Sequence, residues 1–315
     1  MSAPTVDAAS ASVIDALGFA DEMAELRSRI GNWVGSCDRE MQKALEWQFL
    51  GGSKYFRPLT IFACHRAVHG PGPIPHRIMI SALVIEFFHN VSLVIDDIVD
   101  RSPERRGRAT MHTQFGELPA LMTAGYIVAE GYLQLGDDLE AIALFSELLK
   151  RLGVAECMQW RLRRQPLGVE DWRKIAGEDT GSMFEVCACL GDRSGRLRRF
   201  GGLLGLVYHG CDDVGDVRGL PALGGGGTED LRDGILTLPA AIAIRDPRIA
   251  SLFCRDDTDD GSLQEIADAF AAALPKAEAT LDGIAEDARR EARLFARDPK
   301  PLLALVQQTR RLSGR

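Results

Sequence analysis

The chain has 315 residues, 46% of them hydrophobic and 26% charged, with a formal net charge of −8. That balance suits a folded globular protein with a sizeable core, and the acidic excess argues against non-specific nucleic-acid binding. Seven cysteines are scattered without a CxxC pair, which points to free thiols in a reducing compartment, hence a cytoplasmic location. The first residues lack the basic and apolar regions of a secretory signal. No unbroken apolar run of membrane-crossing length occurs, so no span is expected.

Residues 1–18 are expected to be a flexible N-terminus, and 19–315 a single all-α domain. Helical periodicity covers roughly 20–48, 56–69, 76–100, 118–135, 138–164, 170–190, 196–217, 236–246, 262–295 and 300–312. The breaks carry turn chemistry, as in Pro71-Gly72-Pro73-Ile74-Pro75 and Gln165-Pro166-Leu167-Gly168. Residues 219–235, with Gly224 to Gly227, read as a mobile loop. Residues 78–95 are apolar nearly all round, which predicts a central helix, and 200–211 are similar.

Each of these two helices ends in an aspartate cluster, Asp96-Asp97-Ile98-Val99-Asp100 and Asp212-Asp213-Val214-Gly215-Asp216. Positions i and i+4 share a helix face, so Asp96 pairs with Asp100 and Asp212 with Asp216. Two such ends facing each other would form a cage of hard oxygens suited to Mg²⁺ and a diphosphate. A third acidic run, Asp256-Asp257-Thr258-Asp259-Asp260, reads as a solvated loop leading into a helix. Cations accompany the first cluster: Lys54 and Arg57 upstream, His89 on the same helix, and Arg105-Arg106 downstream. Arginine forks and lysine ammonium groups are the usual phosphate ligands.

In order and combination these motifs resemble the trans-isoprenyl diphosphate synthases, the polyprenyl synthetase family. The resemblance runs over about residues 50–240. It rests on Gly52 to Pro58, Glu86-Phe87-Phe88-His89, the two clusters, Arg105 to Thr110, Gln159, Thr180, and Asp230-Leu231 through Thr237-Leu238-Pro239. It implies an all-α bundle around a deep central cavity. The implied reaction is a head-to-tail condensation of isopentenyl diphosphate onto an allylic diphosphate. It also implies a homodimer and Mg²⁺, about three ions with bound diphosphate.

By the same resemblance Asp96, Asp100, Asp212 and Asp216 hold metal, with Asp97 and Asp213 completing the catalytic set. Arg105 contacts the allylic diphosphate. Lys54, Arg57, His89 and Arg106 hold isopentenyl diphosphate, and Gln159 and Thr180 line the allylic side. Chain length is assigned to Phe88, Val91 and Ser92. The last two are not aromatic, and Phe88 lies one helical turn, about 6 Å, deeper, so the expected product is C20 geranylgeranyl diphosphate.

Several family positions differ. Asp179 replaces a lysine before Thr180, Ile235 another after Gly234, and a third is lost among Gly224–Gly227. Tyr208-His209 replaces Phe-Gln, and Tyr126 an aspartate. Arg173, Lys174, Arg218 and Arg232 are candidate substitutes for the missing cations. A terpene cyclase on the same scaffold and a non-catalytic partner subunit are the alternatives. The isopentenyl-site cations disfavour the first, and the intact clusters disfavour the second.

Overall fold

The computed structural model describes residues 8–51, 53–105, 107–220 and 227–314. Among them the regular secondary structure is helical apart from a two-stranded antiparallel hairpin, β1 (Glu104–Arg105) and β2 (Arg108–Ala109), in which Glu104 pairs with Ala109. The all-α expectation holds. The described chain falls into two compact units: Met1–Ser146 with Cys187–Gly195 and Ala296–Ala304, and Glu147–Val186 with Arg196–Phe295 and Leu305–Arg315.

The first unit opens with helices α1 (Ala8–Leu17) and α2 (Ala20–Ser36). The flexible N-terminus expected from sequence is thus partly helical, with Val13 and Ile14 buried; residues 1–7 lie outside the described residues. The stretch expected as one helix from 20 breaks at Asp38. That carboxylate caps α3 (Arg39–Phe49) by accepting the Glu40 amide at 2.9 Å. Pro58 sits in the first turn of α4 (Phe56–His69), where its missing N–H costs nothing.

At the centre of this unit is α5 (His76–Val99), packed against α4, α2 and α7 (Glu117–Leu135). Its buried side chains include Ile78, Met79, Leu83, Ile85, Phe87, Phe88, Val91 and Val94. Full burial of each large apolar chain contributes about 1.5–3 kcal/mol. By length and composition α5 would qualify to cross a membrane, contrary to expectation, but 72% of its apolar window is buried inside the protein, as in a core helix. Short α6 (Met111–Phe115), missed by periodicity, joins the hairpin to α7.

Helix α8 (Leu139–Leu162) runs into the second unit, followed by α9 (Val169–Ala176), a π-helical turn at Gly177–Gly181, and α10 (Ser182–Asp192). One long helix was expected over this last stretch. The main axis of the second unit is α11 (Arg198–Val217) against α15 (Asp260–Phe295). A Cβ on Gly205 would lie 2.7 Å from the Gly181 Cα and 2.8 Å from the Thr180 carbonyl oxygen. Glycine there lets α11 touch the π turn backbone to backbone.

Helices α12 (Gly227–Asp233), α13 (Leu238–Ala243) and α14 (Pro247–Phe253) follow, then α16 (Lys300–Arg311) after α15. The loop expected over 219–235 is therefore helical in its second half, while residues 221–226 lie outside the described residues. Asp256 to Asp259 precede α15, and Asp259 accepts the Ser262 amide at 2.9 Å, so the third acidic run is a capped loop as expected. Near the C-terminus Arg310 is buried against Glu278 and Asp282, while Arg311 is exposed and Arg315 lies outside the described residues.

Candidate functional site

The basic loop before α4 is set by contacts to α5. Gln48 donates to Asn90 at 3.0 Å, and the Ser53 hydroxyl donates to Glu86 at 3.1 Å. Tyr55, buried and in the left-handed region at φ 56°, turns the chain sharply between Lys54 and α4. Arg57 reaches back to α5, its Nη1 3.1 Å from the His89 Nε2. The sequence thus named a pair, Arg57 and His89, that the fold brings into direct contact.

In the first acidic cluster the three aspartates differ. Asp97 is buried, and Arg105 from β1 donates to it at 2.7 Å. Burial pushes the Asp97 carboxyl up, with the Arg105 charge opposing. Asp96 is half-buried and Asp100 exposed. Asp97 is the carboxylate on which Arg105 is seated. Arg106 lies outside the described residues.

The second cluster repeats this division. Asp213 is buried, and its Oδ2 accepts both the Trp172 indole N–H and the Leu238 amide at 2.8 Å. It thereby ties α11 to α9 and α13. Burial pushes its carboxyl up, while His209, the Leu238 amide and Trp172 offset this. Asp212 and Asp216 keep intermediate exposure on the shared face.

Beside this cluster stands an arrangement that single positions did not reveal. The Thr180 hydroxyl donates to Asp179 at 2.9 Å and also lies 2.9 Å from the His209 Nδ1. Its one proton being committed to Asp179, it accepts from the imidazole N–H. Asp179 itself is 3.4 Å from Nδ1, and Asp213 is 3.8 Å from Nε2. Burial opposes charging the ring, but Asp213, Asp179 and Asp212 outweigh it and raise the His209 pKa to about 9. The i, i+4 spacing of His209 and Asp213 was the available signal for this group.

Of the candidate substitute cations, Arg218 is ion-paired to Glu278 at 2.7 Å. Gln159 lies on α8 with intermediate exposure, as Arg173 does on α9, where Lys174 is exposed; Arg232 is on α12. Phe88 is fully buried, packed edge-on to Phe145 at 5.0 Å and 5.5 Å from Tyr132, while Val91 is buried and Ser92 half-buried.

Among the described residues no three acidic, histidine or cysteine side chains are gathered into a ready metal site. The two outer pairs, Asp96 with Asp100 and Asp212 with Asp216, still fit Mg²⁺. That ion is held through one or two carboxylates, its remaining ligands being water and substrate phosphate.

Comparison with known proteins gives the family. The polyprenyl synthetase family model matches residues 38–270. The nonaprenyl diphosphate synthase of Mycobacterium tuberculosis is 27% identical over 310 residues, 91% of each protein. The geranylgeranyl diphosphate synthase of Saccharolobus solfataricus is 26% identical over 241 residues, 70% of this chain and 72% of that protein. Among solved structures, a polyprenyl synthase from Caulobacter crescentus complexed with calcium and isoprenyl diphosphate superposes with a TM-score of 0.83 at 22% identity, covering 100% of this chain and 99% of that one. The chain belongs to the polyprenyl synthetase family and is a prenyltransferase.

Proposed function

We infer that the protein condenses isopentenyl diphosphate with an allylic diphosphate in a Mg²⁺-dependent reaction. The observation that carries this reading is the division of labour in both clusters. The buried central aspartates, Asp97 and Asp213, are held by protein donors, and the outer ones share a face where Mg²⁺ would sit. Bound Mg²⁺ would supply positive charge against the leaving diphosphate. Arg105 stabilises the same charge from β1. Lys54, Arg57 and His89 orient the isopentenyl diphosphate, whose double bond then attacks the allylic carbon. The released pyrophosphate takes up the proton lost from the new chain.

The free thiols fit a reducing compartment such as the cytoplasm, and the exposed face of α7 supports a homodimer. Leu118, Leu121, Met122 and Leu133 stand 45–72% exposed there, a face that a second copy would cover.

For product length we take C20, with Phe88 as floor. A second reading, a longer product, is favoured by the way that ring is locked into the core: a Cβ on Gly131 would lie 2.8 Å from it. The names of several relatives, nonaprenyl and octaprenyl diphosphate synthases among them, point the same way. Incubation with Mg²⁺, isopentenyl diphosphate and an allylic diphosphate, followed by chromatography of the dephosphorylated products, tests both statements. No elongated prenyl product refutes the activity, and a main product beyond C20 removes Phe88 as floor.

A further inference from the structure

The hairpin that carries Arg105 has a mount outside the motifs read above. Trp47, near the end of α3, donates its indole N–H to the Ala109 carbonyl of β2 at 3.0 Å. The Arg108 guanidinium lies over the same ring, 4.5 Å from its centroid, a cation–π contact. Phe115 closes edge-on at 6.0 Å. Gly51, one turn beyond Trp47, leaves the space Arg108 needs: a Cβ there would lie 2.0 Å from the Arg108 Nη1. At the base of the hairpin, Thr110 donates its hydroxyl to the Ser102 carbonyl at 2.8 Å.

These contacts form one mechanical line. Trp47 fixes β2 through Ala109 and Arg108. Register in β1–β2 pairs Arg105 with Arg108 and Glu104 with Ala109. Arg105 then meets Asp97 at 2.7 Å. A hairpin of two-residue strands is marginal by itself and takes its position from what it docks on.

We propose that Trp47, with Gly51 as its spacer, is a positioning residue that holds Arg105 in register for the allylic diphosphate. The proposal rests on the assignment of Arg105 to that diphosphate in the proposed function. Trp47 touches neither substrate nor metal in this role; it acts through the hairpin. Loss of the mount leaves Arg105 present but misplaced.

The test uses the full chain with Gly51→Ala and Trp47→Phe, each made with Arg105 intact and with Arg105→Ala. Gly51→Ala displaces only the tip of a flexible side chain, so the fold survives even where Trp47→Phe is damaging. Binding of inorganic pyrophosphate in Mg²⁺ is measured by calorimetry, hairpin amide exchange by mass spectrometry, and KM for both substrates at steady state. With Arg105 intact, both variants should weaken pyrophosphate binding and raise the allylic KM by about tenfold, with faster exchange in residues 104–109 and an unchanged isopentenyl KM. In the Arg105→Ala background neither variant should add a further loss. Equal losses in both backgrounds, or unchanged pyrophosphate affinity with Arg105 intact, overturn the proposal. A wild type that forms no prenyl product, yet loses pyrophosphate affinity in Gly51→Ala as described, sinks the proposed reaction and leaves the positioning role standing.

Discussion

The Asp179 carboxylate lies 3.4 Å from the His209 Nδ1, with the Thr180 hydroxyl bridging the two. Two departures from the family pattern, an aspartate for a lysine and a histidine for a glutamine, are therefore one arrangement. Asp179 is one of the carboxylates that favour the charged form of His209 on the facing helix.

Asp179→Lys illustrates the consequence. Read from sequence, this change restores a missing cation and should lower the allylic KM. In the structure it sets an ammonium against His209 and removes the acceptor for Thr180. The expected outcome is a lower melting temperature and an allylic KM that stays put or rises. A variant with a lower KM and unchanged melting would show that the pair does not act as a unit.

His209 also gives a pH signature. Its folded pKa of about 9 stands above the ordinary 6.5. Its contribution is thus complete below about pH 6.5 and fades as pH rises through 9. The charged groups facing it are Asp179 from the π turn and Asp212 and Asp213 from α11. Unfolding of wild type and His209→Gln in a chelator should differ by at most about 3 kcal/mol near pH 6, and the gap should close toward pH 10. A constant gap across that range rules out the imidazolium.

Asp212 and Asp213 should separate cleanly. Asp212→Ala removes an outer carboxylate and is expected to cut turnover by several orders of magnitude while leaving melting little changed. Asp213→Ala orphans the Trp172 and Leu238 N–H groups and should cost roughly 2–5 kcal/mol of stability. Denaturant titration and turnover, measured on both variants, check the assignment; the reverse pattern would exchange their roles.

Phe88 is best tested by a gentle change. Phe88→Ala would empty a packed aromatic cluster at a cost of about 3–5 kcal/mol. Phe88→Leu keeps most of the volume. A longer main product from a folded, active Phe88→Leu enzyme is the expected result; an unchanged product assigns Phe88 to the core alone.

Much of this was legible in the sequence. Periodicity located α4, α5, α7 and α11 to within a residue or two, because each buries a broad apolar face. The Asp and Arg motifs stood out in the sequence because their chemistry suits diphosphates and hard metals. What was hidden is relational. No spacing rule separates a buried Asp97 from an exposed Asp100, since solvent access depends on neighbours distant in sequence. Trp172 and Trp47 read as ordinary aromatic residues, and only the fold shows their indoles bonded to Asp213 and Ala109. Short α12 and α14 carry too few turns for a periodic signal.

The π-helical turn at Gly177–Gly181 puts the segments on either side of it out of phase. Such a turn behaves as a one-residue insertion in an α-helix. Deleting one residue there would let a continuous helix form and would rotate everything upstream by about 100°, swinging Trp172 away from Asp213. In relatives, a one-residue gap at this point would therefore mark a change in which side chains face α11, even where every aspartate of the second cluster is retained.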